Sequence, residues 1–143
     1  MRQAFAGLLL VLATALLADP ALACSCARNP TAEKILAGAT AVFTGTVRQS
    51  VPATPGHSMT TFTVTEAFKG ARAGSTVRVL HRSGSSASCG VKFAPGETRT
   101  LAAHGGESGR ELATTLCSTW MFLPHVSISA GLIQQMRALV GKQ

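Results

Sequence analysis

Apolar and polar residues alternate along the middle of the chain in a way that predicts a series of β-strands. In residues 60–68, Phe62, Val64 and Glu66 fall on one face, and the intervening threonines fall on the other. Similar strand-forming stretches cover residues 41–47, 60–68, 76–81, 98–103 and 111–117. Gly45 is expected to mark a β-bulge or a bend in the first of them. Five short strands separated by turn-forming residues are typical of a small closed barrel.

Two helices are predicted outside the strands. Asn29 followed by Pro30 is typical of an N-cap and a first helical position, so a short helix is expected over residues 31–37, ended by Gly38. Near the C-terminus, apolar residues recur at helical spacing and predict an amphipathic helix over residues 128–140 that packs on the barrel. The stripe consists of Leu132, Ile133, Met136, Leu139 and Val140, with Ser127 or Ser129 as the cap.

The connections and the aromatic residues complete the expected architecture. Residues 51–56 contain two prolines and a glycine and predict a turn, and residues 83–88 and 104–109 predict loops. Because the segment at residues 51–58 is short, a long hairpin between the first two strands is not expected. Phe62, Phe68 and Phe93 are assigned to the core, and Trp120 to the core or an interface.

Residues 1–23 have the features of a secretory signal peptide. Arg2 provides the positive start, an apolar run follows, and Ala21-Leu22-Ala23 forms an A-x-A cleavage site. The run is too short for a membrane span and is interrupted by Asp19-Pro20. We therefore expect one domain over residues 24–143 that starts at Cys24 and is exported, secreted to the extracellular space or the periplasm. Lipoprotein anchoring at Cys24 is the alternative, although Ala21-Leu22 reverses the order that lipoproteins usually show.

The charges restrict the classes of partner and of chemistry. Removal of residues 1–23 takes away Arg2 and Asp19, so the net charge of +7 is unchanged. Because the basic residues are scattered, they argue against a dedicated nucleic-acid site. The first explanation of the charge is that it keeps the domain soluble, and contact of a basic surface with polyanions is the alternative. The five remaining carboxylates are all glutamates and are well separated, which argues against an enzyme. The histidines, at positions 57, 81, 104 and 125, lack metal-ligand spacing, so no metal or cofactor of its own is expected in this monomer.

Four cysteines lie after the signal peptide: Cys24, Cys26, Cys89 and Cys117. An even number in an exported chain indicates two disulfides, for which three pairings exist. A bridge between Cys24 and Cys26 would close a strained three-residue ring. The other two pairings both tie the N-terminus to distant points in the chain.

These residues together resemble the N-terminal, netrin-like domain of the tissue inhibitors of metalloproteinases. The resemblance rests on Cys24-Ser25-Cys26 at the predicted mature start, followed in family order by four further segments. These are Ala41-Val42-Phe43-Thr44-Gly45-Thr46-Val47, Phe68-Lys69-Gly70, Ser88-Cys89-Gly90-Val91 and Leu116-Cys117. They extend over most of residues 24–117, and the combination is more specific than a lone C-x-C.

The resemblance implies a mainly β fold, a five-stranded Greek-key barrel of the OB type, with disulfides Cys24–Cys89 and Cys26–Cys117. It implies that the α-amino and carbonyl groups of Cys24 chelate the catalytic zinc of a metalloendopeptidase in trans. Ser25 would enter the specificity pocket of the protease. Cys26, Ser85, Ser86, Ala87 and Ser88 would form a ridge beside it.

The chain also departs from the animal inhibitors. It has no cysteines for their third disulfide in this domain, and we expect no second cysteine-rich domain after it. The expected function is inhibition of a zinc metalloendopeptidase. The alternative is a non-inhibitory netrin-like binding module of the cell envelope, lipid-anchored at Cys24.

Overall fold

A computed structural model of the chain describes residues 24–26, 30–105 and 111–141. The signal peptide, Asn29 and most of the loop at residues 104–109 lie outside this range. The strands are β1 (Ala41–Thr54), β2 (His57–Lys69), β3 (Thr76–Arg82), β4 (Thr98–Gly105) and β5 (Leu112–Thr114). The helices are α1 (Ala32–Gly38), α2 (Leu116–Trp120) and α3 (Ser129–Val140), and a 3₁₀ turn covers Ser86–Ser88.

The strands close into a barrel in the order β1-β2-β3-β5-β4, and β4 also pairs with β1. All neighbours are antiparallel except β3 and β5, which are parallel. The fourth strand thus returns to lie beside the first, which is the Greek-key arrangement. The predicted fold class, a mainly β five-stranded barrel with two flanking helices and two disulfides, is confirmed.

The barrel interior is built around three aromatic rings. Phe62 makes edge-to-face contacts with Phe43 and Phe93, at centroid distances of 5.7 and 5.1 Å. The same cluster includes the buried side chains of Val47 and Leu101. Edge-to-face packing of this kind is favoured by the ring quadrupoles. Phe62 and Phe93 therefore lie in the barrel core, as predicted.

A second apolar cluster joins α1 and α3 to the outside of the barrel. Leu132 and Met136 of the predicted helical stripe pack there with Phe68 and with Ile35 of α1. At the solvent edge of this contact, Arg137 donates two hydrogen bonds to the Glu66 carboxylate, at 2.7 and 2.8 Å. The hydrogen bond from Arg137 lowers the pKa of Glu66 below its ordinary value. The bidentate pair fixes the rotation of α3 on β2.

The connection between β1 and β2 differs from the prediction. The two strands pair as far as Thr54 and His57, so residues 51–58 form the end of a long hairpin with a turn at Pro55-Gly56. Pro52 is tolerated because β1 pairs with β4 only up to Thr46. After two further backbone hydrogen bonds between Val47 and residues 96 and 97, the outer edge of β1 has no strand partner among the described residues. The expectation of a turn without a long hairpin was therefore wrong.

Three element ends also differ from the sequence-based expectation. The N-cap of α1 is Thr31, whose hydroxyl accepts from the Lys34 N–H, and Gly38 is the last helical residue rather than a terminator. The predicted strand over residues 111–117 ends at Thr114, because Thr115 caps α2 and places Cys117 on a helix. Helix α3 begins after Ile128, and neither Ser127 nor Ser129 makes a side-chain capping bond there. The β-bulge at Gly45 is confirmed by a shift in strand register.

Gly70 is required at the end of β2. Its φ of +62° is in the left-handed region, and a Cβ there would lie 2.1 Å from the Thr40 carbonyl oxygen. Gly74 has a similar φ of +80°, but no atom lies within 4 Å of the corresponding Cβ position. A substitution at Gly74 therefore measures the cost of the backbone conformation alone, and the same substitution at Gly70 adds the cost of the steric clash.

We expect Gly74→Ala to lower the free energy of unfolding by about 1–2 kcal/mol, the cost of a left-handed alanine. Gly70→Ala should lower it by about 3 kcal/mol or more, since the clash with Thr40 adds to that cost. Urea unfolding of the two oxidised variants measures both values. Equal losses in the two variants would contradict the steric role of Gly70.

Candidate functional site

The three-residue segment Cys24–Cys26 is fixed to the barrel at two points. Disulfides join Cys24 to Cys89 and Cys26 to Cys117, across 65 and 91 residues of sequence. Cys89 directly follows the 3₁₀ turn, and Cys117 lies on α2. Ser25, between the two bridges, is exposed to solvent. The pairing that the resemblance implied is confirmed, and it holds one exposed serine between two covalent anchors.

The loop that carries Cys89 is folded tightly against the end of β3. Cys89 has a φ of +59°, which is unusual for a residue other than glycine. The Gly90 N–H donates to the Ser85 carbonyl at 2.9 Å, and the Ser88 hydroxyl donates to the same oxygen at 2.9 Å. A Cβ at Gly90 would lie 2.7 Å from the Ser83 carbonyl oxygen. Glycine at position 90 therefore allows the close approach that positions Cys89.

The predicted ridge is only partly assembled beside Ser25. Ser86 and Ala87 line an open groove together with Cys24, Ser25 and Cys26. The sulfur of Cys24 lies 3.5 Å from the Ser86 carbonyl oxygen. Ser85 and Ser88, although exposed, do not line this groove, and they form the hydrogen bonds that shape the turn instead.

A second groove on the other side of Cys24 and Ser25 contains residues that the sequence analysis did not assign to the site. Thr54 and His57, from the tip of the β1–β2 hairpin, line it, and so do Arg82 and Glu111. The Pro55-Gly56 pair is the sequence feature that could have predicted the hairpin, because it is typical of a two-residue turn. It was not used for this purpose because the nearby Pro52 argues against a strand.

A buried polar chain lies at the base of the same hairpin. The Thr60 hydroxyl donates to Ser50 at 2.8 Å, and it also lies 2.8 Å from Nε2 of His81, which is 3% exposed. Since the single hydroxyl proton of Thr60 is used toward Ser50, Nε2 of His81 donates to Thr60. Burial lowers the pKa of His81, and hydrogen bonds that the protonated ring makes to the backbone of Arg82 and Val91 oppose this lowering. The ring also packs edge-on against Phe93, at 4.9 Å between centroids.

The histidines do not converge on a metal-binding arrangement. In residues 24–26, 30–105 and 111–141, no group of three or more His, Cys, Asp or Glu side chains is placed to hold a metal ion. Over the same residues, no helix is long and apolar enough to cross a bilayer.

Comparison with protein-family models gives no match for this chain, and comparison with curated proteins gives none either. The likeness to the metalloproteinase inhibitors therefore rests on the motifs described above.

We expect the free energy of unfolding to fall as the pH is lowered below about 6.5, because of His81. In the unfolded chain its pKa returns to the ordinary value of 6.5, whereas the folded protein takes up the proton only at lower pH. Below pH 6.5 the unfolded state thus binds more protons, and the loss can reach about 1.4 kcal/mol per pH unit until the folded pKa is passed. His81→Gln should flatten this dependence in urea titrations at several pH values.

His125→Gln serves as the matched control, because His125 is exposed in the loop before α3. It should keep the wild-type pH profile. An unchanged profile in His81→Gln would show that another group is responsible.

Proposed function

We propose that this protein is an exported inhibitor of zinc metalloendopeptidases, with Cys24 as the zinc-chelating residue. The observation that carries the proposal is the exposed Ser25 held between the Cys24–Cys89 and Cys26–Cys117 bridges. Cleavage after Ala23 would convert this fixed segment into a rigid N-terminus. Its leading groups would then be the α-amine and carbonyl oxygen of Cys24.

The chemistry of such a terminus suits a catalytic zinc ion. Catalytic zinc keeps a coordination position for water, and an amine with its own carbonyl can replace that water in a five-membered chelate ring. An α-amino group has a pKa of about 8, so a useful fraction is neutral near pH 7–8. Because the two bridges fix the segment before binding, little conformational entropy is lost when it enters a cleft. Ser25 would then occupy the adjoining specificity pocket.

The observed hairpin supports the proposal further. The sequence had argued against a long β1–β2 hairpin, which counted against an extended contact with a protease. Thr54 and His57 at the hairpin tip instead line the groove beside Cys24 and Ser25. Ser86 and Ala87 line the other groove, the open one that also contains Cys24, Ser25 and Cys26. A protease that encloses Ser25 therefore meets three separate segments of the barrel.

The direct test is inhibition of a panel of zinc endopeptidases by protein that begins at Cys24. We expect inhibition by this form, and a loss of at least about 100-fold when one alanine is added before Cys24, because the amine is then displaced from the zinc. A protein with one alanine added after Gln143 is the matched control and should inhibit like the unextended form. Inhibition by neither form would reject the function, and equal inhibition by both N-terminal forms would reject the mechanism.

The alternative is a netrin-like binding module without inhibitory activity, and its lipid-anchored form requires a diacylglyceryl thioether on the Cys24 sulfur. That sulfur is joined to Cys89 in the structure, and one sulfur atom cannot form both bonds. This favours the free terminus.

We expect the intact mass of the exported protein to equal that of residues 24–143 with four hydrogens lost to two disulfides. N-terminal mass spectrometry of material from the natural host measures this directly. A diacylglycerol adduct on Cys24 would instead support the anchored module.

A further inference from the structure

An apolar surface adjoins the Cys24–Cys26 segment on the side away from the hairpin. In the part of the chain that the structure describes, the large apolar side chains that stay exposed are Val51 at 43%, Trp120 at 39% and Ile128 at 39%. Trp120 and Ile128 line the groove that also contains Cys24, Ser25, Ser86 and Ala87, and we call it the Trp120 groove. Two of these three exposed side chains thus belong to one surface next to the proposed inhibitory residues.

The Trp120 groove has further apolar lining residues, Leu116, Leu123 and Val126. Its polar lining consists of His125 and three serines (Ser25, Ser86 and Ser127), and none of its described lining residues is Asp, Glu, Lys or Arg. A partner that covers it therefore gains by burying apolar surface, at roughly 25 cal/mol per Å². Tryptophan is also the side chain most often found to dominate binding at protein interfaces.

Trp120 is held in a fixed relation to Ser25. It follows Cys117 by three residues on α2, and Cys117 is bonded to Cys26. The Thr115 hydroxyl accepts from the Ser118 N–H at the start of α2, and the buried Thr119 hydroxyl donates to the Leu116 carbonyl at 2.9 Å. These contacts link the helix that carries Trp120 to the N-terminal segment. A protease whose cleft takes up Ser25 therefore also lies against Trp120.

We propose that the Trp120 groove is a second contact surface of the inhibitor, which receives an apolar part of the protease surface bordering the cleft that takes up Cys24 and Ser25. This inference rests on the proposed function. The protease is chosen over a second copy of this chain because Cys24 and Ser25 line the same groove. A second copy seated there would cover the residues that must enter the cleft.

The test uses mature, oxidised protein against a panel protease that it inhibits. Trp120→Ala should raise the inhibition constant about 30-fold, the effect of losing a central aromatic contact. Trp120→Phe should stay within a few-fold of wild type, because most of the apolar contact remains. Val51→Ala is the matched control, since Val51 is equally exposed but lines neither groove beside Cys24, and it should not change the constant. Thermal unfolding of each variant confirms that it is folded.

A spectroscopic readout gives a second line of evidence. Trp120 is the single tryptophan of the chain, so incorporation of 5-fluorotryptophan gives one ¹⁹F resonance that reports on this groove. We expect the resonance to shift when unlabelled protease is added. It should also shift, at higher protease concentration, with protease from which zinc has been removed, because the Trp120 contact does not depend on zinc.

The outcomes separate this inference from the function on which it rests. The second contact surface is rejected if Trp120→Ala inhibits as well as the wild type. It is also rejected if the ¹⁹F resonance does not move in the inhibited complex. In both cases the proposed inhibitory function is retained. If wild type inhibits no protease of the panel, both proposals are rejected. If Trp120→Ala converts a dimer to a monomer in sedimentation experiments without affecting inhibition, the groove serves self-association and the inference is overturned.

Discussion

The arrangement of the candidate site depends on two disulfides that act on the three-residue segment Cys24–Cys26. Cys24 is bonded to Cys89, which directly follows the 3₁₀ turn. Cys26 is bonded to Cys117, which lies on the short helix α2. In the chain-entropy account, each closed loop of this length contributes about 4 kcal/mol of stability, although overlapping loops do not add fully. Their local effect matters more for the proposed function, because a segment of three residues would otherwise have no fixed direction.

The constraints are useful only because the elements that carry Cys89 and Cys117 are themselves rigid. Gly90 lets the Cys89 loop approach Ser83 closely, and Thr115 begins the helix on which Cys117 lies. The buried chain from Ser50 through Thr60 to His81 connects β1, β2 and β3 beneath the same surface. Buried polar groups are costly to leave unpaired, so these hydrogen bonds favour a single arrangement of the three strands.

The sequence predicted the architecture better than it predicted the edges of the site. Five strands, two outer helices and the aromatic core could be predicted because apolar residues that alternate, or that recur at helical spacing, are usually buried. Phe62 and Met136 are examples. The hairpin tip at Thr54 and His57 was missed, because whether a proline fits in a strand depends on which edge of the strand is paired. Helix α2 was missed because a five-residue helix has too few residues for a period, and its start depends on the capping bond of Thr115. The disulfide pairing came from a family likeness, since spacing alone left two pairings open.

The outer edge of β1 has a consequence for how the protein behaves at high concentration. Within residues 24–26, 30–105 and 111–141, the strand pairs on one side only from Arg48 to Thr54, and Val51 adds an exposed apolar side chain there. An open edge of this kind is a template for strand addition between molecules and for aggregation. Pro52 interrupts it by withholding a backbone N–H, and the charge of Arg48 disfavours close stacking of like copies. Pro52, which made the hairpin hard to predict from the sequence, thus disfavours the pairing of this edge with the same edge of a neighbouring molecule.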